Sequence, residues 1–97
     1  MALHFSRTVR TESSERFLIH PDGGHDAAAL ELHYLGDQRV VGTLILLDER
    51  VFPESKVPEL LKEIDEKLLP DVSIEDGKLS FTVVAGHIVG TFFPHPA

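Results

Sequence analysis

A chain of 97 residues has room for one hydrophobic core and not for two, so residues 1–97 are expected to form a single domain. An apolar content of 42% beside 26% charged residues excludes wholesale disorder, and the lack of cysteine excludes disulfides, thiolate ligands and thiol nucleophiles. The net charge of −7 repels phosphate backbones and argues against nucleic acid as a partner.

Leu3, Phe5, Arg7 and Val9 alternate with His4, Ser6, Thr8 and Arg10, a period of two that predicts a half-buried strand with the odd positions inward. The polar run at residues 11–15 turns the chain. Residues 16–20, centred on Phe17, Leu18 and Ile19, then predict a second strand in a hairpin with the first. Pro21, Gly23 and Gly24 break that strand, because proline fixes φ and glycine admits positive φ. A third strand is predicted over residues 28–35, with Leu30, Leu32 and Tyr34 on one side and Glu31 and His33 on the other; the alanines at 27–29 would also suit the first turn of a helix.

After the short loop Gly36, Asp37 and Gln38, residues 39–47 predict a fourth strand of a different kind. Val40, Leu44 and Leu46 share one side with Gly42, yet Val41, Ile45 and Leu47 make the other side apolar too, the pattern of an interior strand covered on both faces. A helix follows up to about Leu69. Ser55 is its expected cap, Pro58 fits its first turn, and Val57, Leu60, Leu61, Ile64 and Leu68 form its apolar stripe. Glu63 and Lys67 make an i,i+4 pair on the polar side, and Pro70 stops the helix. Residues 72–75 and 78–84 predict a hairpin around Asp76 and Gly77, and residues 87–93 a last strand, with Ile88 and Phe92 on one side and Val89 and Phe93 on the other.

The expected order is β-β-β-β-α-β-β-β, an α+β domain whose mostly antiparallel sheet is strongly twisted or partly closed and carries one amphipathic helix. One helix covers only part of one sheet face. Closure of the sheet or association must then cover the other, which makes Val41, Ile45, Leu47, Val89 and Phe93 the interface candidates. The stretch from Asp48 to Asp76 holds ten acids against four bases, read as a solvated helix face with its loops.

The densest polar cluster runs His20, Pro21, Asp22, Gly23, Gly24, His25, Asp26. Imidazoles and carboxylates are ligands for divalent metals, but no zinc-site spacing is present, so the preferred reading is a polar loop between strands. The alternative is a small-ligand or divalent-metal site on His20, Asp22, His25 and Asp26, with His33 as an addition. His33 beside Glu31 could share a proton, and His87 sits at a break in the strand pattern. No Gly-x-Ser-x-Gly elbow, Gly-x-Gly-x-x-Gly turn or Gly-x-x-x-x-Gly-Lys loop occurs, so no catalytic residue and no cofactor is assigned. The N-terminus has no signal-peptide pattern and no apolar run is long enough to span a bilayer, which points to a cytoplasmic domain without membrane contact. The leading reading is a non-enzymatic module that binds another protein or itself.

Overall fold

Alternating or short apolar runs bounded by turn residues build four strands in succession, each paired with the next. The structure, a computed structural model, describes residues 2–69 and 77–94. β1 (Leu3–Arg10), β2 (Ser14–Pro21), β3 (Ala28–Tyr34) and β4 (Val40–Leu46) form an antiparallel meander. A 3-10 turn at Glu54–Lys56 leads into helix α1 (Val57–Leu68), and β5 (Leu79–Ala85) then lies parallel to β4. The result is an α+β domain with a five-stranded, mostly antiparallel sheet in the order β1-β2-β3-β4-β5. Among the described residues the sheet is open, with β1 and β5 at its edges, and closure toward a barrel is not among its pairings.

Register decides which side chains meet. Phe5, Ile19, Ala28 and Leu46 lie abreast across the sheet, and so do Phe17, Leu30, Leu44 and Val83. Leu60 and Ile64 of α1 are buried with these rows, and Phe52 and Leu69, just outside the two ends of the helical segment, join the same core. Full burial of a leucine or isoleucine contributes about 1.5–3 kcal/mol, so this single layer between helix and sheet carries the stability. Phe81 lies so close over β4 that a Cβ at Gly42 would sit 2.5 Å from its ring, which is why the strand narrows to glycine there.

Several expectations need correction. The outward and inward sides of β1 exchange part-way along it, because the register slips between Arg7 and Val9 and leaves Thr8 as an extra residue. Val9 therefore faces outward at 41% exposure opposite Arg16, and Arg10 turns inward opposite Glu15. The β1–β2 turn is tighter than residues 11–15, because the Thr11 N–H donates to the Ser14 carbonyl at 2.8 Å and β2 begins at Ser14. Ala28 and Ala29 belong to β3 and not to a helix. Ser55 does not cap α1; it lies within the 3-10 turn, where the Lys56 N–H donates to the Pro53 carbonyl at 2.9 Å, and no side chain caps the helix. Pro58 does occupy the first turn.

The C-terminal third differs most. Five strands stand among the described residues where seven were expected. Residues 72–75 of the expected hairpin lie outside the described residues. The strand that begins after Lys78 pairs parallel with β4, since a helical crossover returns the chain in its original direction. Residues 87–93 do not form a strand. The Gly86 N–H donates to the Leu46 carbonyl at 3.0 Å, the last rung of the ladder; β4 ends there and offers the following residues nothing to pair with. β4 is an interior strand as expected, but its outer face is not closed over: Val41 is exposed, and Ile45 and Leu47 are half-buried.

Candidate functional site

Two places gather the residues singled out from the sequence. The first is the end of the sheet where β2 hands over to β3 and where β4 and β5 finish. Pairing of β1 with β2 sets His4 opposite His20, and their rings stack with centroids 5.0 Å apart and planes 17° from parallel. His4 Nε2 lies 3.1 Å from an Asp22 carboxylate oxygen, within hydrogen-bond reach. His20 Nδ1 is buried without a hydrogen bond and stands 3.4 Å from Asp26. His25 goes elsewhere: its Nε2 is 2.8 Å from Asp48 just beyond β4. Asp48 also accepts hydrogen bonds from the Arg50 guanidinium and backbone N–H; Arg50 first and His25 second hold its carboxyl far below the usual range.

The four candidate ligands thus divide among separate pairs. Asp26 stands nearest His20, Asp22 serves His4, and His25 serves Asp48. Among the described residues no three histidine, aspartate or glutamate side chains converge on a point where an ion would sit. A hollow of about 570 Å³ at this end, lined by His25, Asp26, Asp48, Arg50 and His87, is broad and polar. His33 stands on the outer face of β3 with Glu31, whose carboxylate is held 2.7 Å from Arg16 on β2. Sequence reasoning missed His4 and Asp48. The β1–β2 hairpin already implied that position 4 lies near position 20, whereas nothing local marked Asp48, which meets His25 only because Leu47 and Asp48 both donate backbone N–H groups to the Ala27 carbonyl.

The second place is the outer face with the β5 edge. Leu18, Ala29, Ile45 and Val84 lie abreast across it, with Val41 and Val9 as further exposed apolar side chains. The chain then leaves β5 through residues 86–94, where Ile88, Val89, Phe92 and Phe93 are 62%, 82%, 77% and 80% exposed. Of the interface candidates, Val41 and Ile45 share the outer face of β4, Leu47 lies just past its end, and Val89 and Phe93 stand on this segment.

The two edges of the sheet differ in kind. β1 carries Arg7 and Arg10 and the bulge at Thr8, devices that discourage strand addition. Leu79–Ala85 reads Leu-Ser-Phe-Thr-Val-Val-Ala, with neither charge nor proline, and it pairs with β4 along its whole length without a register shift. From Leu79 to Pro94 no Asp, Glu, Lys or Arg occurs. Among the described residues nothing pairs with the outer side of β5.

Compared with protein-family models, curated proteins and solved structures, the chain gives no match. Among the described residues no helix is long and apolar enough to cross a membrane.

Proposed function

We propose that this domain is a non-enzymatic protein-interaction module that accepts an extended segment along the open edge of β5. The observation that carries the reading is the contrast between the edges: β1 is guarded by arginines and a bulge, and β5 is a straight, uncharged strand followed by exposed apolar side chains. An unguarded edge presents a row of N–H and C=O groups that a guest strand can satisfy, with affinity from the backbone and specificity from alternate side chains. Val41, Ile45 and Val84 supply apolar contacts beside that edge on the outer face, and Val89 and Phe93 supply them beyond it.

The competing reading, a ligand or metal site on His20, Asp22, His25 and Asp26, has less support, because the carboxylates divide the imidazoles between them. A peptide of residues 78–86 titrated into the isotope-labelled domain tests the strand-addition reading. Amide shifts centred on β5, with those of β1 unmoved, are expected. Shifts confined to β1 or to the histidine-rich end, or none at millimolar peptide, would overturn it.

A further inference from the structure

The backbone geometry of β5 fixes which of its groups face β4 and which face away from it. Val40 donates its N–H to the Lys78 carbonyl at 2.7 Å, and Gly86 donates to the Leu46 carbonyl at 3.0 Å. Backbone groups alternate in direction along a strand, so Lys78, Ser80, Thr82, Val84 and Gly86 turn theirs toward β4. Leu79, Phe81, Val83 and Ala85 turn theirs outward. Side chains alternate in the other sense: Leu79, Phe81 and Val83 pack toward the helix side, and Ser80, Thr82 and Val84 stand on the outer face.

Resting on the strand-addition reading, we infer that the guest strand is β5 of a second copy of this chain, paired antiparallel about a two-fold axis through Thr82. In that register Phe81 faces Val83 of the second copy and Leu79 faces Ala85, and these are the residues whose N–H and C=O groups point outward, so the pairs exchange hydrogen bonds. Thr82 faces Thr82 of the second copy as a non-hydrogen-bonded pair, with Cα atoms about 4.5 Å apart and side chains close. Two of these facings are of a favoured type, aromatic Phe81 against β-branched Val83 and threonine against threonine. An axis perpendicular to the sheet keeps both helices on one face and both outer faces on the other. Ser80 then faces Val84 of the second copy, so Ile45 and Val84 of one copy continue through Ser80 to Val41 of the other, in two rows that flank the paired threonines.

Charge favours the same place. Two chains of −7 repel wherever acids face each other, and the uncharged run from Leu79 to Pro94 is where they can approach. The area is of the right order as well. Beyond Gly86, which faces Lys78 of the second copy, the chain carries Ile88, Val89, Phe92 and Phe93 past the seam. With aromatic side chains burying about 150–250 Å² each, these and Val84 bring on the order of 500 Å² per copy, to which the strand backbones add, against about 800 Å² per partner in a standard stable interface.

Thr82 is exposed in the single chain, so substitutions there test the pairing without touching the core. By sedimentation or light scattering, the wild type is expected at twice the chain mass. Thr82→Lys and Thr82→Glu, each placing like charges face to face, are expected at the single-chain mass with unchanged circular dichroism, and an equimolar mixture of the two should regain the doubled mass. Since the chain has no cysteine, Thr82→Cys should cross-link to a covalent dimer under mild oxidation, whereas Glu12→Cys should not. A wild type that stays at single mass at several hundred micromolar overturns the inference, and if it still binds the 78–86 peptide along β5 the strand-addition reading survives alone. A wild-type dimer that Thr82→Lys leaves intact overturns the inference equally, by placing the seam elsewhere.

Discussion

Glu15 ties together the end of the sheet where β1 turns into β2. The bulge in β1 brings both Arg7 and Arg10 to its side, at 2.9 Å and 2.7 Å from the same carboxylate oxygen, while the Tyr34 hydroxyl donates to the other oxygen and Arg10 lies 5.9 Å from the centre of the Tyr34 ring. Burial alone would raise the Glu15 pKa, but the hydrogen bonds from Tyr34, Arg7 and Arg10 outweigh it and hold the carboxyl below its ordinary value. Tyr34 is pushed up to about 12, first by burial and then by its bond to the Glu15 carboxylate. The two act on stability in opposite directions of pH. With its folded pKa raised, Tyr34 stabilises fully below pH 10.0, its unperturbed value, and loses that contribution as pH rises through about 12. With its pKa lowered, Glu15 stabilises above 4.5 and loses its contribution as pH falls through the folded value. Tyr34 is the chain's one tyrosine and tryptophan is absent, so phenolate absorbance reports it directly. Its titration midpoint should lie near 12 in the wild type and move back toward 10 in Glu15→Gln, which should also lose about 1–3 kcal/mol in denaturant melts at pH 7. A wild-type midpoint near 10 would show a solvated phenol and no such link.

At the scale of elements, α1 is held by few side chains. Leu60 and Ile64 are its buried positions, with Val57, Leu61 and Leu68 only partly covered, because a single helix lying on a sheet buries a narrow stripe and leaves the flanks of that stripe at the boundary with water. Ile64→Ala should therefore lower stability by about 2–5 kcal/mol, whereas Leu61→Ala should stay below that range. Equal losses at both positions in urea melts would mean that the helix is rotated from the orientation described here. The Glu63–Lys67 pair contributes little at 3.9 Å on an exposed face. The strand pattern was legible for β1 to β4 because β1 and β3 alternate with period two and β2 and β4 are short apolar runs bounded by turn residues, with the exception of Val9, whose face an unmarked bulge reversed. The direction of β5 was not legible. Asp76 and Gly77 read locally as a hairpin turn, and only the helix crossing between β4 and β5 makes the pairing parallel.

At the scale of the molecule, the distribution of charge predicts how the paired form responds to salt. The chain carries −7 while the strand Leu79–Ala85 of the inferred seam is uncharged, so the long-range force between copies is repulsive and the short-range one is not. Screening shrinks the Debye length from about 30 Å at 0.01 M to about 3 Å at 1 M. The dimer dissociation constant should accordingly fall several-fold between low and high salt, measured by sedimentation. A dimer that weakens with salt would instead show that ion pairs form its seam. The Cα radius of gyration of 14.3 Å exceeds the roughly 13 Å of a compact chain of 100 residues, in keeping with an apolar segment that extends from the sheet rather than folding onto it.

The α+β class, the first four strands and the amphipathic helix were determined by the sequence, since each rests on periodicity or on a breaker within a dozen residues, and local pattern suffices for such elements. The histidine and aspartate cluster could be listed from the sequence but not arranged. Which carboxylate meets which imidazole depends on His4 and Asp48, contributed from β1 and from beyond β4, and on a register that only assembled strands possess. The apolar run at residues 87–93 was read as a strand because its composition is that of one, yet a strand needs a partner edge. Tertiary structure decided otherwise, ending β4 at Leu46 so that the run lies exposed beyond the end of β5.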